Sequence, residues 1–212
     1  MRAAERKGRT CFGHVVDPLR TYRSYRDVVN AYIRDYREAA TAELKFFRKQ
    51  VPLAKAIHFA ALAIMRDGKR HPHQRRLPAS VLRAAERRLT AVARLLRECH
   101  SFAALHEVVR AEIGTIHGVG RLTVYDVATR IGAYLRLEPE VVYLHAGTSE
   151  GAKALGLNGG ETLAPTALPP AFQILRPREM EDCLCVYASE LSRFRSNLAV
   201  QRTGARGARP GR

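Results

Sequence analysis

Residues 102–136 read FAALHEVVRAEIGTIHGVGRLTVYDVATRIGAYLR, in which two apolar-periodic segments flank a glycine-containing turn. Apolar residues recur at spacings of three and four in both segments, which is typical of amphipathic helices. Ser101 directly precedes the first segment, where its hydroxyl can cap a helix. Gly118 and Gly120 surround Val119 in the turn, and glycine tolerates the positive φ that a tight turn requires. The stretch therefore predicts a helical hairpin.

Helical periodicity continues through most of the chain, and strand-like alternation is absent from its sequence. We therefore predict an all-α fold, with a single helical domain of about six to eight helices over residues 21–195. Residues 157–177 contain four prolines and predict a long loop with local turns. Further helices are predicted over residues 26–50, 52–65, 80–99, 139–143, 148–156 and 178–195.

Both ends of the chain differ in composition from the middle. Residues 1–20 are basic and carry turn-forming Gly and Pro, which predicts a loose N-terminal arm. Residues 196–212 contain four arginines and no acidic residue, which predicts a basic disordered tail.

The chain is strongly basic. Its 212 residues include 36 Lys and Arg against 20 Asp and Glu, a net charge of +16. Arginine supplies most of the excess, and its guanidinium binds phosphate through two parallel hydrogen bonds. This charge indicates nucleic acid as the first candidate partner. The alternative is codon bias in a GC-rich genome, which favours Arg and Ala.

The positive charge is concentrated in one stretch. Residues 66–99 contain ten Lys and Arg but three Asp and Glu, a net charge of +7. Many of these arginines fall in a polar loop or on the outer face of the helix predicted next. Those predicted to contact nucleic acid are Arg70, Arg75, Arg76, Arg83 and Arg87.

The remaining composition predicts a cytoplasmic protein that does not bind membranes. The first nine residues are charged rather than signal-like, and no apolar stretch is long enough to span a bilayer. We therefore expect free thiols. Cys183 and Cys185 lie two residues apart on a predicted helix, without nearby partners at zinc-ligand spacing. We expect one buried and one partly exposed thiol there, with no metal and no cofactor.

The turn resembles the helix-hairpin-helix motif of DNA-repair and DNA-processing proteins. That hairpin reads hydrophobic-x-Gly-hydrophobic-Gly before a helix that opens with Thr or Ala. The matching positions are Ile116, Gly118, Val119, Gly120 and Thr123. Val124 departs from the pattern, because Ala is usual at its position. The resemblance covers residues 102–136 and implies binding to the phosphate backbone of DNA.

The chemistry of the turn supports the same interpretation. Backbone N–H groups beside glycine can approach an anion closely, and the positive end of the following helix dipole adds to the attraction. Such contacts bind the sugar-phosphate backbone of the nucleic acid rather than its bases, so we expect binding that is largely independent of base sequence. The alternative is a plain helical hairpin whose glycines only turn the chain. The residues predicted to bind are His117, Gly118, Val119, Gly120, Arg121 and Thr123.

A second glycine-rich segment follows at residues 147–153, GTSEGAK. It lacks the glycine spacing, the lysine position and the preceding strand of a P-loop. We interpret Thr148 or Ser149 as the cap of a short helix. The alternative is a second phosphate site formed by Gly147, Thr148, Ser149 and Lys153.

Helix-hairpin-helix motifs also occur in base-excision DNA glycosylases, and this weaker resemblance raises the question of catalysis. In that family a catalytic Asp follows the second hairpin glycine by about twenty residues, and lyase members carry a Lys just after the hairpin. Glu140 and Leu122 occupy these positions here, so neither residue carries over. No complete nucleophile and base arrangement can be assigned, which favours a non-catalytic protein.

Several ionisable residues have a structural interpretation beside a functional one. Asp126 and Arg130 are four residues apart and predict a helical ion pair, solvated or structural. His145 is interpreted as a core or turn histidine, and Glu181 with Asp182 as acids near a helix start. His71 and His73 predict a solvated loop, a phosphate-contact cluster or, as a further alternative, part of a metal site.

Taken together, these features predict a protein that binds the backbone of nucleic acid, most readily DNA. It would serve within a bacterial repair, recombination or mobile-element assembly that includes other proteins. One alternative is a DNA-processing enzyme of glycosylase or nuclease type. Another is a helical interaction protein that binds RNA or an acidic protein.

Overall fold

The chain is described by a computed structural model over residues 20–158 and 160–194. These residues are mainly helical, which confirms the all-α prediction, although the helices are slightly more numerous than six to eight. None of these helices is long and apolar enough to cross a membrane. The predicted arm and tail lie outside the described residues, apart from Arg20. The α-helices are α1 (Tyr25–Asp35), α2 (Arg37–Arg48), α3 (Leu53–Ala61), α4 (Ala79–Ala91), α5 (Ala93–Arg97), α6 (Phe102–Ile113), α7 (Arg121–Leu135), α8 (Ala146–Ala154) and α9 (Pro177–Val186), and residues 188–194 are also helical.

The chain groups into two compact units. Among the described residues, unit 1 contains residues 20–34, 141–158 and 160–194, and unit 2 contains Asp35–Glu140. Unit 2 therefore carries both the predicted hairpin and all the arginines predicted to contact nucleic acid.

Helix α7 is the central element of unit 2. It packs against α2, α3 and α6, while α4 packs against α3 and α6. Its apolar positions face these neighbours, and Val127, Ala128 and Ile131 are buried. The buried core side chains on the other helices of unit 2 include Phe47, Ile57, Leu82, Leu89, Leu105, Val109 and Ile113.

The helix boundaries correct the sequence predictions at several points. The helix predicted over residues 26–50 is divided into α1 and α2, because Tyr36 leaves helical geometry at φ −127°. The helix predicted over residues 52–65 ends at Ala61. Ala63 then adopts a positive φ of 55°, and Ile64 pairs with Arg70 in an isolated β-bridge. The chain therefore turns back earlier than periodicity indicates.

Two predicted helix starts also differ. Pro78, not Ser80, occupies the N-cap of α4 and makes no side-chain cap. The short helix predicted over residues 139–143 is wrong, because Val142–Tyr143 forms strand β1, antiparallel to β2 (Thr162–Leu163). By contrast, the Ser101 hydroxyl accepts a hydrogen bond from the Ala104 N–H at 3.1 Å, which confirms the predicted cap of α6.

Unit 1 is built on the close approach of α8 and α9. A Cβ atom at Gly151 would overlap the Leu184 carbonyl, and one at Gly147 would lie 2.6 Å from the Cys185 sulfur. These two glycines are four residues apart, so both fall on the face of α8 that meets α9. Their lack of side chains is what lets the two helices pack.

This packing predicts the effect of Gly151→Ala. In an exposed helix, alanine is more favourable than glycine by about 1 kcal/mol, so the change would stabilise a helix that made no tertiary contacts. Here the added methyl collides with backbone, and we expect a net loss of about 1–3 kcal/mol in the free energy of unfolding. Urea unfolding measures it. Gly160→Ala is the control, because nothing lies within 4 Å of its Cβ position; equal stability of the two variants would contradict the packing argument.

Candidate nucleic-acid interface

The predicted hairpin is present as a turn between α6 and α7. The Val119 N–H donates to the Ile116 carbonyl at 2.9 Å and closes the turn. Gly118 has a φ of +90°, a conformation that side chains rarely adopt. Gly120 has an ordinary φ of −102° and occupies the N-cap of α7. The two glycines therefore have different roles, and the turn itself requires only Gly118.

The outer side of this turn is open to solvent. His117, Gly118, Gly120 and Arg121 are exposed, while Val119 is half-buried rather than fully buried in the core. Gly120 offers no side-chain cap to α7, and nothing lies within 4 Å of its Cβ position. The N-terminus of α7 therefore faces open space, as anion binding by a helix end requires.

Thr123 differs from the other predicted hairpin contacts. Its side chain is 9% exposed and lies on the inner side of α7. Of the predicted hairpin contacts, those exposed to solvent are therefore His117, Gly118, Gly120 and Arg121.

The basic loop before α4 lies against the hairpin. A Cβ at Gly118 would be 3.9 Å from Leu77, which directly follows the exposed Arg75 and Arg76. The guanidinium of Arg70 donates to the Leu77 carbonyl at 3.1 Å and is only partly exposed. Arg70 thus fixes the loop, whereas Arg75 and Arg76 are exposed to solvent.

A second tie joins α4 to the end of α6. The guanidinium of Arg88 donates to the Glu112 carbonyl at 2.9 Å and to the Thr115 hydroxyl at 2.8 Å. Arg83 and Arg87 are exposed on α4. Consequently, the arginine-bearing helix and the hairpin are held together within unit 2.

Part of this basic surface forms a groove of mixed charge. Arg70 and Arg83 line it together with His58 and Glu86. Nδ1 of His58 lies 2.6 Å from Oε1 of Glu86. Glu86 places negative charge inside the groove, which weakens its attraction for phosphate. Arg75 and Arg76 are not among the residues that line it.

Beneath this surface lies a polar network that the sequence analysis did not assemble. The Asp126 carboxylate accepts from Gln74 at 2.6 Å, and the same oxygen is 3.1 Å from Nδ1 of His73. Arg130 donates to Gln74 at 3.2 Å and to the Ala60 carbonyl at 3.4 Å. The loop predicted to be solvated is therefore anchored to α7 through buried side chains.

The charges in this network are strongly coupled. Burial alone would raise the pKa of Asp126, but the hydrogen bond from His73 and the charge of Arg130 lower it well below its usual range. Burial, with the charge of Arg130, lowers the pKa of His71 to about 3. Asp126 and Arg130 are thus a structural rather than a solvated ion pair, and His71 is neutral at physiological pH.

Unit 1 places the residues of the predicted second phosphate site differently. Thr148 is fully buried, and its hydroxyl donates to Glu181 at 2.9 Å. His145, not Thr148 or Ser149, occupies the N-cap of α8. Ser149 is half-buried, and the exposed Lys153 pairs with Glu150. The glycines serve helix packing and Thr148 an internal network, so the reasons for predicting a phosphate site here no longer hold.

The same network corrects the interpretation of the ionisable residues of unit 1. His145 is buried, as predicted, and its ring bonds to the Glu181 carboxylate. Asp182 accepts from Tyr32 at 3.0 Å and from Arg178 at 2.8 Å. Glu181 and Asp182 therefore satisfy buried donors rather than only a helix dipole.

The remaining candidate positions are as follows. Glu140, at the glycosylase aspartate position, is exposed on a bend before β1, and Leu122 is half-buried. Cys183 is buried and Cys185 is half-buried, which confirms the predicted pair of unlike thiols.

Comparison with protein-family models, with curated proteins and with solved structures gives no match to this chain. The helix-hairpin-helix resemblance therefore depends on the turn residues and their geometry.

The buried network predicts that Arg130→Met destabilises unit 2. Methionine fills similar space but leaves Asp126 without its buried counter-charge, which costs about 3 kcal/mol. Chemical unfolding monitored by circular dichroism measures the loss. Arg75→Met, at an exposed arginine, is the matched control and should unfold like the parent. If Arg130→Met were as stable as this control, the network would not be a structural requirement.

Proposed function

We propose that this chain binds the phosphate backbone of DNA through the turn between α6 and α7 and the adjoining arginines of unit 2. The observation that carries the proposal is the placement of Gly118 against Leu77. It brings the exposed loop arginines and the open N-terminus of α7 to the same region of one compact unit.

The turn supplies donors that need little reorganisation. Backbone N–H groups are fixed by the fold, so binding an anion there loses little conformational entropy. The dipole of α7, a helix of fifteen residues, places partial positive charge at the same end. Arg121 adds a full charge beside it. These features favour a singly charged phosphodiester group held at the helix terminus.

The arginines extend the contact along the backbone. Arg75 and Arg76 lie beside the turn region, and Arg83 and Arg87 continue along α4. Each neutralised phosphate releases condensed counterions, so several weak contacts together yield strong, salt-dependent binding. Contacts from helix-terminal N–H groups and arginines to phosphate do not read the bases, which supports binding that is largely independent of sequence.

Salt dependence tests the proposed role of the loop arginines. Affinity for a labelled DNA duplex should fall steeply with salt, and the double change Arg75→Gln with Arg76→Gln should reduce the log–log slope by about 2, since each phosphate contact contributes about 0.9. Fluorescence anisotropy at several salt concentrations gives the slope. Arg94→Gln is the control, because Arg94 is exposed but already paired with Glu98. A slope near zero for the parent chain, or equal slopes for the loop and control variants, contradicts the proposal.

The helix terminus is tested by Gly120→Val. The extended backbone of Gly120 accepts a side chain without strain, and the space around its Cβ position is open. The new side chain would fill the space where phosphate approaches. We expect DNA affinity to fall roughly tenfold, about 1.4 kcal/mol, with an unchanged melting temperature.

Gly160→Val provides the matched comparison, because its Cβ position is equally open and lies in unit 1. It should bind DNA like the parent. If folded Gly120→Val also bound like the parent, the glycines would only turn the chain, and the arginine surface alone would have to account for binding.

A further inference from the structure

Two histidines and an aspartate of unit 2 meet beneath the proposed interface. One donor atom from each of His71, His73 and Asp126 lies within 4.8 Å of the others. We propose that these side chains form a binding site for a divalent transition metal, with Zn²⁺ as the best-suited ion. The site is independent of the proposed DNA-binding function, because it uses none of the residues assigned to the interface.

The local backbone brings the two histidines together. His71 precedes the short 3-10 helix Pro72–Gln74, and His73 lies within it. Their ring centroids are 4.7 Å apart at an interplanar angle of 70°. The His73 N–H donates to Nδ1 of His71 at 3.4 Å, so coordination through Nε2 of His71 would preserve this bond. The loop before α4 therefore presents two imidazoles from positions two residues apart.

Helix α7 supplies the third donor. The Asp126 carboxylate already lies 3.1 Å from Nδ1 of His73, and a metal would replace the proton between these two groups. The Gln74 amide donates to the same carboxylate at 2.6 Å. Such an outer hydrogen bond orients a ligating carboxylate and is a usual companion of metal ligands.

The donor set determines the class of metal. Two imidazole nitrogens and one carboxylate suit Zn²⁺, whereas Mg²⁺ and Ca²⁺ prefer sites made of oxygen. Three protein ligands would leave a coordination position for water. His71 is 4% exposed, but the side chains of His73 and Asp126 are 16% and 15% exposed, which leaves a path for the ion.

Arg130 is the feature that opposes a cation here. Its guanidinium lies 3.7 Å from the Asp126 oxygen, and its positive charge weakens metal affinity. The hydrogen bonds of Arg130 go to Gln74 and the Ala60 carbonyl and not to Asp126. A metal that binds Asp126 would therefore not have to break them. This geometry favours metals that bind imidazole strongly over those attracted mainly by negative charge.

The test is titration of the chelator-treated full chain with ZnCl₂ by calorimetry. We expect one Zn²⁺ per chain and an affinity at least tenfold weaker in His73→Gln and in Asp126→Asn. His58→Gln is the matched control, since His58 also pairs with a carboxylate in unit 2 but belongs to no group of three possible metal ligands among the described residues. Equal affinity of the parent, His73→Gln and His58→Gln would overturn the proposal.

A spectroscopic measurement on the unmodified chain removes the dependence on variant folding. Co²⁺ bound to nitrogen and oxygen donors gives visible absorption without the intense near-ultraviolet band of a thiolate ligand. Long-range ¹H–¹⁵N spectra should show that Zn²⁺ moves the ring signals of two of the eight histidines. A thiolate band, or ring signals that Zn²⁺ leaves unmoved, would place the metal at cysteine or nowhere and contradict the site.

Discussion

The buried guanidinium of Arg130 is the constraint around which unit 2 is arranged. It is 5% exposed, and a buried charge without partners is strongly unfavourable. Asp126 provides the counter-charge, while Gln74 and the Ala60 carbonyl accept its hydrogen bonds. Because Gln74 belongs to the loop before α4, satisfying Arg130 also fixes that loop against α7. The position of the exposed loop arginines thus depends on a largely buried ion pair.

In unit 1, buried polar and charged side chains likewise need hydrogen-bond partners, and different residues provide them. Glu181 satisfies His145 and Thr148, while Asp182 satisfies Tyr32 and Arg178. Both acids lie on α9, directly beside the glycine contact with α8. Buried polar networks of this kind hold one arrangement of helices only when every member is bonded. Unit 1 therefore has an internal reason for each of these ionisable groups, without reference to a ligand.

Local sequence patterns predicted the hairpin well because its determinants are local. The apolar spacing, the Ser101 cap and the glycine of the turn all act within a few residues. They could not identify β1, because a short apolar run fits a helix or a strand until its partner is known. They also missed the His73–Asp126 contact, which joins residues 53 positions apart. The four-residue spacing of Gly147 and Gly151 is a usable signal for close helix packing, but the same segment also fits a helix cap or a phosphate site.

In the proposed function, backbone N–H groups, rather than side chains alone, form the centre of DNA binding. Amide-resolved NMR of the ¹⁵N-labelled full chain with a short DNA duplex examines those groups directly. We predict that the largest shifts on adding duplex occur at Gly118, Gly120 and Arg121, with smaller ones at Arg75 and Arg76. Shifts confined to unit 1, or to arginine-bearing segments without the turn, would contradict it.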